Sequence, residues 1–182
     1  VTSCIFSFIV SRTFRRKHFD MRDIQNASLA GGIALGSAHS IVIVPAASLL
    51  CGAVAATLTI IGYVWITPYM EKLSKGRLSD ARGTFNLHGF SGMIAAVASI
   101  VAVGIADERE IYVQPTSELF PHDLPDQAGY QTACFAVSMG IGLFGGIITG
   151  GALWVVRSAT SGPEPPTPYT DEEHFVVPSN FQ

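Results

Sequence analysis

From Gly83 to Ala106 the chain reads GTFNLHGFSGMIAAVASIVAVGIA, a stretch without a single Asp, Glu, Lys or Arg. A helix needs about 20 mostly apolar residues to cross a bilayer core, so this stretch reads as a membrane span. Inside it lies His88. Polar groups at such depth are costly and usually face a bundle interior, a water cavity or a transported solute. An imidazole that exchanges a proton near neutral pH in that setting points to proton or small-cation handling. A structural histidine, satisfied by neighbouring helices, is the competing reading, and the residues alone leave both open.

Outward from this span the composition agrees. Of 182 residues, 48% are hydrophobic and 14% charged, where a soluble domain carries about 25% charged residues. The run from Ile24 to Met70 is also free of charge and too long for one helix. Pro45 divides it, because proline lacks a backbone donor and is tolerated in a first helical turn. The expected helices are 24–43, 45–66, 84–106 and 130–156, with Thr67-Pro68 near the end of the second. The apolar start, VTSCIFSFIVS, is too short to span and has no basic region before it, so it is not a signal peptide. It reads as the end of a helix begun earlier, and the chain is expected to be the C-terminal part of a longer protein. The fold class expected is an all-α polytopic membrane protein, with residues 1–157 forming the membrane part and 158–182 a flexible cytoplasmic tail. That tail opens with the Pro-rich SGPEPPTPYTDEE, which cannot build a core.

Charge sets the orientation. If the helices alternate, ten of the eleven basic residues fall on one side, Arg109 being the exception. The positive-inside rule makes that side cytoplasmic. The outer loop, 107–129, then holds Arg109 against six carboxylates. The glycine pairs Gly32/Gly36 and Gly146/Gly150 have the small-xxx-small spacing that allows close helix approach.

Enzyme and nucleic-acid readings find no footing. There is no GxSxG, P-loop, HExxH or strand-linked GxGxxG, and no basic stripe for nucleic acid. Cys4, Cys51 and Cys134 lack metal or disulfide spacing and read as small buried hydrophobes. No cofactor or metal is expected. His18, His39, His122 and His174 fall at span edges, loops or the tail, and are expected in solvent or at the interface. Asn26 lies in an N-A-S sequon, but on the cytoplasmic side, where a helix–helix or backbone hydrogen bond is its expected role. Asp20 and Asp23 lie at the cytoplasmic mouth of the next helix, either to draw cations or to cap the helix and oppose its dipole.

The run DIQNASLAGGIALG, followed two spans later by FNLHGFSGM, resembles the C-terminal half of Rh-type ammonium transporters. GYVWITP at Gly62–Pro68 and DEEHF in the tail fit the same pattern. The resemblance covers about Asp20 to Val156 and implies a homotrimer, each subunit built from two inverted helical repeats around one narrow pore. It implies a pore histidine pair, with His88 matching the second member. It also assigns Asp20 to a vestibule position, Asn26 to a family asparagine and Asn86 to the same solute pathway. Arg82, Phe85 and Phe90-Ser91 depart from the family pattern around His88. The function implied is ammonium or ammonia transport across a plasma membrane, with a transport-inactive structural subunit as the alternative. A recruiting role for the tail from Ser158 is a further possibility.

Overall fold

Proline at position 45 opens the longest charge-poor helical run of the first part of the chain. In the computed structural model, which describes residues 1–39, 41, 44–76, 78–80, 82–106 and 116–160, this run continues unbroken from Pro45 to Leu73. It comprises α3 (Pro45–Ile61), a π-helical segment π1 (Gly62–Ile66) and α4 (Thr67–Leu73). The helix therefore does not stop near Ile66. A proline inside a helix removes one bond and pushes its ring at the carbonyl four residues back, here Val64. The wider π turn, placed just before Pro68, gives the ring room and lets the helix run on.

Two helices precede it, α1 (Thr2–Phe14) and α2 (Met21–Ala34). After it come π2 (Thr84–Gly89), α5 (Phe90–Ile105), the short α6 (Thr116–Leu119) and α7 (Leu124–Thr160). There is no strand among the described residues. The runs Pro45–Leu73, Thr84–Ile105 and Asp126–Thr160 are long and apolar enough to cross a membrane. The chain is a multi-pass, all-helical membrane protein.

The α2 helix differs from the expected 24–43 span. It starts earlier, at Met21, because Asp20 accepts a hydrogen bond from the Arg22 amide as its N-cap. It ends at Ala34, where successive three-residue turns take over: Gly36 donates to Ile33, Ala38 to Leu35 and Ile41 to Ala38. Its 14 residues span about 21 Å at 1.5 Å per residue, less than a bilayer core. The remainder of the expected span, residues 40, 42 and 43, lies outside the described residues.

The chain divides at Val137/Ser138 into two units. In the first, α1, α2 and α3 pack against one another, and α5 closes on α2 and α3. Small residues make this possible. Ala27, Ala30, Ala34, Ala55 and Ala56 are wholly buried. A side chain on Gly31 would strike Ser3, while one on Gly52 would reach ordinary contact with the α1 backbone. At this seam the close-approach glycine is thus Gly31. Gly32 and Gly36 meet no neighbouring helix, because the buried face of α2 runs through Ala27, Ala30, Gly31 and Ala34. Ser3, Ser7 and Ser11, four residues apart on α1, line the same seam; Ser3 donates to the Ser28 carbonyl at 2.8 Å. At the far end of α5, Val103 packs with Ile41 and Leu124, and Ser99 donates to Gln131 at 3.1 Å.

In the second unit, α7 continues to Thr160, and every residue from Ile141 to Thr160 is exposed. Gly146 and Gly150 have no neighbour within 4 Å. Two of the three cysteines, Cys4 and Cys134, are exposed rather than buried, because each lies on an outward-facing side of its helix. The tail from residue 161 lies outside the described residues.

Candidate functional site

His88 sits in π2, near the start of the α5 span. Left-handed Gly83 (φ 76°, ψ 19°) reverses the chain into that segment, a conformation glycine adopts without the steric cost of a Cβ. The Gly83 carbonyl accepts two hydrogen bonds, from Leu87 N at 2.9 Å and from His88 N at 3.1 Å. The second is the wide i→i+5 bond of a π turn, and it ties the His88 backbone directly to Gly83.

The free amides at the start of π2 are met by a buried carboxylate. Asp80 Oδ2 accepts from Phe85 N at 3.1 Å and from Asn86 N at 2.7 Å. Asn86 is wholly buried and donates through Nδ2 to Thr67 Oγ1 at 2.6 Å. Its amide lies against Gly62. The two π segments therefore meet at this point. π1 loses its side chain at Gly62 where π2 inserts Asn86.

Asn26 belongs to the adjoining layer. It donates through Nδ2 to the Tyr63 hydroxyl at 2.8 Å. Tyr63 is 1% exposed, and the Arg22 guanidinium lies 4.7 Å from its ring centroid, within cation–π range. Asn26 and Asn86 are thus held between helices, while the His88 side chain is exposed on the surface of this bundle. Phe85 and Phe90, which flank it in sequence, pair with each other at 4.8 Å. Gly89 borders Phe85, and Gly92 meets nothing within 4 Å, so neither glycine admits a neighbouring helix here.

The aspartates at the start of α2 take different places. Asp20, partly exposed, caps the helix and lies 3.5 Å from Arg15. Asp23 is fully buried and takes a two-point ion pair from Arg15, both bonds at 2.9 Å, with Ser11 adding a third at 3.2 Å. That bonding raises the Arg15 guanidinium above its ordinary value, against the opposing effect of burial. Asp23 is charge-paired inside the protein; Asp20 retains an open edge. Sequence alone does not single out Asp80, Tyr63, Thr67 or Gly83. The one signal available was a lone carboxylate just ahead of an apolar span, a pattern shared by many helix caps.

The other histidines among the described residues, His18, His39 and His122, lie away from this cluster. His18 is exposed, His39 bonds the Gly36 carbonyl at 3.0 Å, and the His122 ring stacks on Tyr130 at 4.1 Å. No group of three or more His, Cys, Asp or Glu side chains among the described residues could hold a metal ion.

This arrangement can be set beside known proteins. Ammonium transporter Rh type B from Danio rerio is 34% identical over 167 residues, covering 87% of this chain and 35% of that protein. Ammonium transporter Rh type C from Canis lupus familiaris is 33% identical over 159 residues, covering 82% of this chain and 34% of its own. The chain thus spans about a third of the length of these relatives. A solved structure reported as Nitrosomonas europaea Rh50, with the mechanism of conduction by the Rhesus protein family of channels, matches 99% of this chain and 40% of that one. Its TM-score is 0.68 at 21% identity, a likeness of fold. The sequence profile of the Ammonium Transporter Family matches residues 1–161, and the chain, with its charge-free helices and Rh-type relatives, belongs to that family.

Proposed function

We propose that this chain supplies part of the solute path of an ammonium transporter, with His88 on the wall of that path. The observation that carries the reading is the placement of His88: within an apolar span, exposed on the bundle surface, on a turn fixed by Gly83 and Asp80. Ammonium is stabilised by water, and an apolar path that strips the water favours neutral ammonia. A neutral imidazole offers a donor and an acceptor without adding fixed charge. Ammonium that gives its proton to the water it leaves at the mouth of the path then enters as ammonia, which the neutral His88 imidazole can hydrogen-bond as it passes.

Asp20 is the proposed vestibule residue, since its carboxylate keeps an exposed edge at the basic end of α2. Asn26 and Asn86 serve the pathway as its framework, through Tyr63 and Thr67. The working assembly is a homotrimer in the plasma membrane with the tail from residue 158 in the cytoplasm. The relatives named above as ammonium transporters, and the charge asymmetry of the loops, support this reading. A transport-inactive structural subunit is the second reading; the Phe85–Phe90 ring pair beside His88 favours it, because the rings add bulk where a solute would pass.

The test is uptake of methylammonium by the full-length transporter, normalised to trimer at the cell surface. His88→Ala should lower specific uptake at least tenfold while leaving assembly intact. Unchanged specific uptake would falsify the wall assignment. No uptake by the unaltered transporter, with trimer present, would favour the structural subunit.

A further inference from the structure

Tyr63 is among the largest fully buried side chains in the molecule, and its hydroxyl is the point where three elements converge. From α2 it receives the Asn26 amide at 2.8 Å. Arg22, one turn earlier on α2, covers the ring. On the third side the hydroxyl lies against Gly83: a Cβ at that position would collide with it, and would also come within 3.6 Å of the Asn26 amide carbon. Gly83 is the residue whose carbonyl holds the His88 N–H. Only two residues, Tyr63 and Gly83, stand between the Asn26 side chain and the backbone of His88.

We propose that Tyr63 is a positioning residue for His88: held by Asn26 and Arg22, its hydroxyl fixes Gly83, and the Gly83 carbonyl fixes the turn that carries the imidazole. This rests on the reading of His88 as a wall residue. The physical logic is that a left-handed glycine has wide conformational freedom, so the turn needs an outside brace. A π turn is an uncommon geometry and persists where its surroundings fix it. Tyr63 supplies that brace from π1, while Asp80 holds the Phe85 and Asn86 amides. Asn26 acts through Tyr63, to whose hydroxyl it donates one of its two Nδ2 hydrogens.

The experiment uses the full-length transporter with methylammonium as solute, measuring maximal uptake per surface trimer and the half-saturating concentration. Tyr63→Phe removes the hydroxyl alone and should lower maximal uptake about fivefold, the factor matching one net hydrogen bond, with half-saturation unchanged. Asn26→Ala should give a loss of the same size, and the double variant should be no worse than either single one, since both break one bond. Gly83→Ala should lose more, and adding Tyr63→Phe should restore part of it by removing the atom the new methyl strikes. In a His88→Ala background Tyr63→Phe should add nothing.

The proposal is overturned if Tyr63→Phe lowers thermal stability but not specific uptake, or if the Tyr63 and Asn26 losses multiply. A raised half-saturating concentration in Asn26→Ala alone also overturns it and places Asn26 in contact with solute. If Gly83→Ala does not assemble, the Tyr63/Asn26 comparison decides. Normal uptake in His88→Ala is a different failure, that of the wall assignment itself, and is read independently of the Tyr63 variants.

Discussion

Gly62→Ala and Gly92→Ala are the same chemical change on two apolar helical runs, and the structure predicts opposite signs for them. Exchanging Gly for Ala in a helix interior normally stabilises by about 0.5–1 kcal/mol through backbone entropy. At Gly92 nothing lies within 4 Å of the added methyl, so that gain should appear unopposed. At Gly62 the methyl would sit 2.7 Å from Asn86 Cγ and 3.1 Å from its Cβ, with Oδ1 closer still. Asn86 is wholly buried and cannot swing into solvent. It must move away from π1, and the amide that donates to Thr67 at 2.6 Å moves with it. Overpacking costs about 1–3 kcal/mol, and stranding a buried polar group costs about 1–3 kcal/mol more. Set against the entropy gain, Gly62→Ala should destabilise by about 1–5 kcal/mol. The assay is the apparent Tm of detergent-purified full-length protein, followed by the surviving monodisperse peak after heating. Asn86→Ala added to Gly62→Ala should cost less than the sum of the single changes, because both act on one contact. A Gly62→Ala protein as stable as Gly92→Ala would refute the close meeting of the two π segments.

Two further outcomes follow from the carboxylates. Arg15→Ala leaves the fully buried Asp23 without its two-point partner and should cost about 3 kcal/mol, the lower end for a broken buried pair. Asp23→Asn in that background should recover part of it, measured by the same heating assay, and equal loss in both would refute the pairing. Asp80→Ala removes the acceptor for two backbone amides and should lower both apparent Tm and specific methylammonium uptake. Asp80→Asn, which keeps one acceptor oxygen, should retain most of each; if Asp80→Asn is as poor as Asp80→Ala in uptake alone, its charge acts on the solute instead.

The helical class, three of the four expected long apolar runs and the place of His88 near the start of one were legible because desolvation acts on composition. A charge-free stretch of sufficient length has few alternatives in a membrane. Boundaries were less legible wherever a tertiary partner decides them. Asp20 could have been a vestibule charge or a cap, and capping became evident only once the Arg22 amide was seen to point at it. The continuation of α3 past Pro68 depends on the π turn before it, and nothing in GYVWITP distinguishes a widened turn from a helix end. Glycine spacing misled on α2 because the GxxxG pattern names a pair of positions, whereas packing selects a face. The neighbouring Gly31 lies on the alanine-lined side, and Gly32 does not.

The supports of the candidate site were hidden for a related reason. Tyr63, Thr67, Asp80 and Asn86 come from segments up to 23 residues apart in sequence, and each alone has an ordinary reading as a core aromatic, a pre-proline threonine, a cap or a polar helix residue. Their common purpose emerges from two local departures from α geometry that face each other. Gly62 of π1 leaves room by lacking a side chain, π2 fills that room with Asn86, and Gly83 at the head of π2 lies against the Tyr63 hydroxyl. A π segment adds a residue to a turn and so rotates everything after it by roughly a third of a turn relative to a regular helix. In π2 that rotation falls on His88. The imidazole's direction is therefore set by the local winding of its own turn, which the Asp80 and Gly83 bonds maintain, and a histidine at the same position on a regular α-helix would face another way.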